Sequence, residues 1–96
     1  MKYFFEEIKT KKVVELERDS ITAGQMKEIS RDGFRLIGID GGGEITPTGC
    51  YCTAIGQQHF DGLTLDYLVA GYTLTAATES VRVFEKDGRT VTVERI

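Results

Sequence analysis

The sequence predicts a small α+β domain in which a mainly antiparallel sheet carries one or two short helices on one face. Three observations predict it. Two strand-like segments open the chain, a capped helix followed directly by a strand comes next, and two valine-rich runs form a hairpin at the other end. Hairpins at both ends favour antiparallel pairing. With 96 residues and no linker or repeat, residues 1–96 are expected to form a single globular domain.

The first two elements are predicted as strands. Residues 2–9 are rich in aromatic side chains, and residues 13–18 alternate apolar and polar side chains. The polar link between them contains no glycine, so the register of this pair stays open.

A short helix is predicted at residues 23–31. Thr22 and Gln25 have the spacing of a capping box, in which each side chain bonds the backbone of the other. Gly33 offers the left-handed conformation that ends a helix. The apolar run at 34–39 then predicts a strand.

The C-terminal hairpin has two possible registers. A two-residue Asp87-Gly88 turn would pair Phe84 with Val91 and mix apolar and polar side chains on each face. A three-residue loop with Gly88 as a left-handed bulge gathers four valines on one face, and we prefer it because a slip of one residue inverts the faces. The preferred pairs are Val83 with Val91 and Val81 with Val93, with Glu85 opposite Arg89.

The middle of the chain is less clear. Residues 50–55 predict a strand between two glycines. From residue 65 to 72, apolar side chains recur at helical spacing with Thr64 as a candidate N-cap, whereas alternation over 63–69 favours a strand. We favour the helix.

Composition excludes several classes of protein. A net charge of −3 argues against nucleic-acid binding, since such modules are usually basic. The longest uncharged stretch near the middle, 45–58, is too short and too polar to cross a membrane, and the N-terminus lacks the pattern of a signal peptide. We therefore expect a cytoplasmic protein with reduced cysteines.

The charges are unevenly distributed. Residues 45–78 contain two acids and no Lys or Arg. Since the cores of protein interfaces are depleted in charge and enriched in aromatic residues, segment 50–74 is a candidate contact region for a protein partner or a second copy of the chain. Its aromatic candidates are Tyr51, Phe60, Tyr67 and Tyr72. The alternative is that this stretch is the buried core of a monomer.

A small-ligand site is the second hypothesis. It combines the glycine-containing loop 38–44 with two cysteines, the sole histidine and an aspartate, and could take a nucleotide-like ligand, hold a metal or support catalysis. The candidates are Gly41, Gly42, Gly43, Cys50, Cys52, His59 and Asp61. Against it, no Gly-Lys-Ser/Thr motif follows the loop, Asp40 and Glu44 would repel phosphate, and the cysteine spacing is not that of a zinc knuckle.

On balance the sequence predicts a non-catalytic binding or regulatory protein without a cofactor or metal. It acts through a protein partner or through its own oligomer. Small proteins without catalytic motifs are common among phage and mobile-element accessory factors, and this likeness is an analogy only.

Overall fold

The computed structural model describes residues 1–40 and 49–96. The elements in chain order are β1 (Lys2–Glu7), β2 (Val13–Glu17), α1 (Ala23–Arg31), β3 (Phe34–Asp40), β4 (Cys50–Ala54), α2 (Gly56–Val69), β5 (Thr73–Ala77), β6 (Val81–Lys86) and β7 (Arg89–Arg95). The predicted α+β class is confirmed. Strand β5 was not predicted.

The strands form two sheets. One has the order β2-β1-β3 and is antiparallel throughout, and the other has the order β4-β7-β6-β5. In the second sheet β4 runs parallel to β7, which the sequence did not predict, and the remaining pairs are antiparallel. Strand β3 lies beside β5, where a Cβ added at Gly38 would be 3.8 Å from the carbonyl oxygen of Ala77. Strands β2 and β4 are therefore the outer strands of the described part of the fold.

Helix α1 has the predicted bounds because its end signals are local. The Gln25 N–H donates to the Thr22 hydroxyl at 3.2 Å, and the Thr22 N–H donates to the Gln25 side chain at 2.9 Å. Gly33 has a φ of 87° and ends the helix as predicted. Strand β3 follows at once and extends one residue beyond its predicted end.

The predicted register of the C-terminal hairpin is wrong. Asp87 and Gly88 have φ values of 49° and 79° and form a two-residue turn, as type I′ geometry requires. Phe84 therefore pairs with Val91. The other pairs are Arg82 with Val93, Val83 with Thr92 and Glu85 with Thr90. In this register Arg82 and Phe84 share a face with Val91 and Val93, and all four side chains are buried.

Helix α2 is longer than predicted. It begins at Gly56, whose φ is 81°, and Thr64 lies in its interior, where the hydroxyl donates to the Phe60 carbonyl at 2.9 Å. The helical interpretation of 63–69 is confirmed, but Thr64 is not its N-cap. Phe60, Thr64 and Leu68 recur at four-residue spacing and are buried, so they form the face of α2 that packs against the core. The first turn of the helix is polar, and for this reason the pattern was not recognised from residue 56 onward.

The core lies where the helices face the two sheets. Its buried members are Tyr3, Phe5, Ile21, Met26, Leu36, Ala54, Phe60, Leu68, Leu74, Ala77, Phe84, Val91 and Val93. Side chains from both sheets and both helices share this one cluster, so the sheets are packed together through the interior.

Candidate functional site

Strand β4 is the part of the predicted contact region whose backbone edge is open. In the described part of the chain it pairs on one side only, with β7. The strand contains no charged residue, and Cys50, Tyr51 and Thr53 are exposed. Because natural proteins usually protect edge strands with charges, proline or a covering element, an uncharged open edge is a typical place for another strand to add.

The two faces of β4 differ. Ala54 is fully buried, and Cys52 lies toward α2, with its Sγ 3.5 Å from the Tyr67 hydroxyl. Tyr51 points to the opposite face, is 49% exposed and donates its hydroxyl proton to Glu94. One face of β4 thus belongs to the core, whereas Tyr51 and Thr53 are exposed on the other face, and no strand within residues 1–40 and 49–96 pairs with the second edge.

An apolar patch adjoins the end of β4. Ile55 and Ile96 are each 75% exposed. They lie together because the Ile96 N–H donates to the Ala54 carbonyl at 3.0 Å. The apolar surface of the edge therefore extends beyond the strand itself.

A groove lies at the other end of β4. It has a volume of about 550 Å³, and its lining includes Cys50, Tyr67, Tyr72 and Arg89. The Tyr67 ring packs edge-on against Tyr72 and is stacked on Phe84, both at 5.2 Å between centroids. Its hydrogen bond with Cys52, together with burial, raises the pKa of Tyr67 to about 12, so the phenol is neutral at physiological pH.

The four predicted interface residues differ in how far they are exposed. Tyr51 is exposed on the outer face of β4, and Tyr67 and Tyr72 are half-buried in the groove. Phe60 is fully buried beneath Arg82, so this residue belongs to the core instead of an interface.

The predicted ligand residues are brought together only in part. Cys50 and Cys52 are free thiols on β4. His59 lies at the start of α2, where its Nδ1 accepts the Ile55 N–H at 3.0 Å. Cys52 contacts Tyr67 near the other end of that helix, eight residues or about 12 Å along the axis from His59.

Asp61 is bound to Gln57, whose Nε2 donates to the carboxylate at 2.8 Å. No group of three or more His, Cys, Asp or Glu side chains that could hold a metal occurs within residues 1–40 and 49–96. Gly41, Gly42 and Gly43 lie outside the described residues. The proposed cysteine, histidine and aspartate set is thus not assembled as a metal site in the described residues.

Sequence analysis missed Arg82, which is the most unusual charged residue of the fold. Its side chain is 2% exposed, and its guanidinium lies 4.5 Å from the centroid of the Phe60 ring. Burial lowers the pKa of Arg82 to about 10, an effect that the negative charge of Asp61 opposes, so the group stays charged at neutral pH. The Asp87-Gly88 dipeptide signalled the register that pairs Arg82 with Val93, but it did not signal the burial of Arg82.

Comparisons with protein-family models, with curated proteins and with solved structures find no match to this chain. Neither described helix has the length and apolar character needed to cross a membrane.

Proposed function

We propose that this chain is a small non-catalytic binding protein that acts through self-association, in which the free edge of β4 pairs antiparallel with β4 of a second copy. The observation that carries the proposal is the uncharged edge of β4, with which no strand of the described part of the chain pairs. We expect the protein to act in the cytoplasm, where its two free thiols would stay reduced.

A two-fold axis fits this strand. Most soluble homo-oligomers use such an axis, which places the same surface of each copy against its counterpart. An axis perpendicular to the sheet makes the two β4 strands antiparallel and joins the four-stranded sheets into one of eight strands. Since β4 contains no charged residue, the pairing brings no like charges of the two β4 strands together. The same axis places the α2 helices of both copies on the same side of the joined sheet.

Pairing a five-residue strand buries less area than a stable dimer needs, so neighbouring side chains must contribute. Tyr51 and Ile55 flank the edge and are exposed. Tyrosine provides large contact area at a modest cost in side-chain entropy, and it is enriched at interfaces. The half-buried Tyr67 contacts Cys52 on the inner face of β4, and Tyr72 packs against Tyr67.

The test is the oligomeric state of the full chain measured by sedimentation velocity from low micromolar to submillimolar concentration. The wild type is expected to form a dimer. Thr53→Lys adds a cation to the edge of each copy and should weaken self-association by about tenfold or more. Thr73→Lys is the matched control, because Thr73 is an exposed threonine of the same sheet that pairs with Glu85.

A wild-type protein that stays monomeric throughout this range would overturn the proposal. Equal weakening by Thr53→Lys and Thr73→Lys would also overturn it, because the interface would then not be specific to the β4 edge.

A further inference from the structure

A small cavity lies on the other side of α2 from the β4 groove, between α1, α2 and β3. Its volume is about 110 Å³. Apolar side chains from three elements form much of its wall, among them Met26, Leu36 and Leu65, and the charged residues Asp61, Arg35 and Arg82 complete it. Residues of opposite charge thus line one partly open cavity.

Arg82 brings a buried cation with unused hydrogen-bond donors. Its Nη1 donates to the carbonyls of Val81, at 3.0 Å, and Thr78, and its Nη2 donates to the Leu36 carbonyl at 2.6 Å. A guanidinium has five N–H donors, so the Nε–H and one Nη2–H donate to no acceptor in the described residues. No carboxylate forms an ion pair with Arg82 in the same part of the chain.

Asp61 brings the opposite charge. Its carboxylate accepts one hydrogen bond, from Gln57, and it is not within ion-pair distance of Arg82. Arg35, the other cation of the wall, is already bound to Glu6 at 2.7 Å. The cavity therefore contains one cation and one anion that are each left without a direct partner of opposite charge among the described residues.

We propose that this cavity binds a small zwitterion of the α-amino acid class, with its carboxylate on Arg82 and its ammonium group on Asp61. A simple anion would be repelled by Asp61 and a simple cation by Arg82, whereas a ligand with both charges satisfies both groups. An apolar cavity of about 150 Å³ holds benzene, so the smaller space here limits the ligand to a few non-hydrogen atoms, as in glycine or alanine.

The experiment follows binding to the full-length protein by NMR, using the side-chain N–H signal of Arg82 and the backbone signals of α2. Glycine and L-alanine are the probes, acetate and methylammonium carry one charge each, and L-phenylalanine is too large for the cavity. The small amino acids should cause saturable shifts, with binding about tenfold tighter than acetate or methylammonium. L-Phenylalanine should cause none.

The variant is Asp61→Asn, since Arg82 is part of the core and its replacement could unfold the protein. It should weaken glycine binding by about tenfold, while Asp66→Asn, an exposed acid on the same helix, should leave it unchanged. The proposal fails if glycine gives no saturable shift. It also fails if acetate binds as well as glycine, if L-phenylalanine binds equally well, or if Asp61→Asn has no effect.

Discussion

Strands β2 and β4 each form the outer edge of a sheet, and their side chains differ in one respect. Strand β2 contains Glu15 and Glu17 and follows Lys11 and Lys12, whereas β4 contains no charge. The exposure of large hydrophobic side chains is similar on the two strands, since Val13 of β2 is 50% exposed and Tyr51 of β4 is 49% exposed. If β4 pairs with a second copy as proposed, charge more than apolar area would distinguish an edge protected against pairing from one open to it.

The largest expected effect concerns how β4 is attached to its sheet. A Cβ at Gly49 would lie 2.4 Å from the Thr90 carbonyl oxygen of β7, and Gly49 has a φ of 71°. Gly49→Ala therefore meets both an unfavourable backbone conformation and a clash. We expect it to lower the free energy of unfolding by about 3 kcal/mol, measured by chemical denaturation.

The matched control is Gly33→Ala beside the other sheet. Gly33 has a φ of 87° and no atom within 4 Å of the added Cβ. Only the unfavourable left-handed backbone conformation then lowers the free energy of unfolding, by about 1 kcal/mol. Equal losses in the two variants would mean that Gly49 does not hold β4 against β7.

A smaller effect compares the interiors of the two sheets. The hydroxyls of Tyr3 in β1 and Thr92 in β7 are buried and have no hydrogen-bond partner within the described residues. Burial also raises the pKa of Tyr3. Since an unpartnered buried hydroxyl costs free energy, Tyr3→Phe and Thr92→Val should each raise the free energy of unfolding by about 1 kcal/mol.

Thermal and chemical denaturation of the two single variants measure this effect. A loss of stability in either would show that its hydroxyl has an acceptor. Equal increases in the free energy of unfolding would show that the two buried hydroxyls cost similar free energy in the interiors of the two sheets.

Local signals made part of the fold predictable. Helix α1 was placed to the residue because Thr22, Gln25 and Gly33 define its ends within the segment itself. The strand at β4 was also predicted, but its position at an edge was not, since strand order depends on pairing with β7 some forty residues away.

The errors occurred where distant contacts decide the structure. Arg82 points inward because the Leu36 carbonyl, 46 positions away, and the Phe60 ring receive it. Nothing near Arg82 in sequence indicates this burial, so a face of four valines looked more favourable. Tyr51 of the β4 edge was named from the sequence as an interface residue, whereas Cys50 and Cys52 were assigned to a ligand site with His59. The separation of Cys52 from His59 became visible only with the length of α2.

Hydrogen exchange of the backbone amides tests the central claim most directly, because self-association would cover the free edge of β4 and leave β2 open. The full-length protein is compared at low and high concentration. The outward-facing amides of β4 should become protected at high concentration, those of β2 should exchange alike at both, and Thr53→Lys should remove the difference. Exchange of the β4 amides that is independent of concentration would contradict pairing of this edge with a second copy.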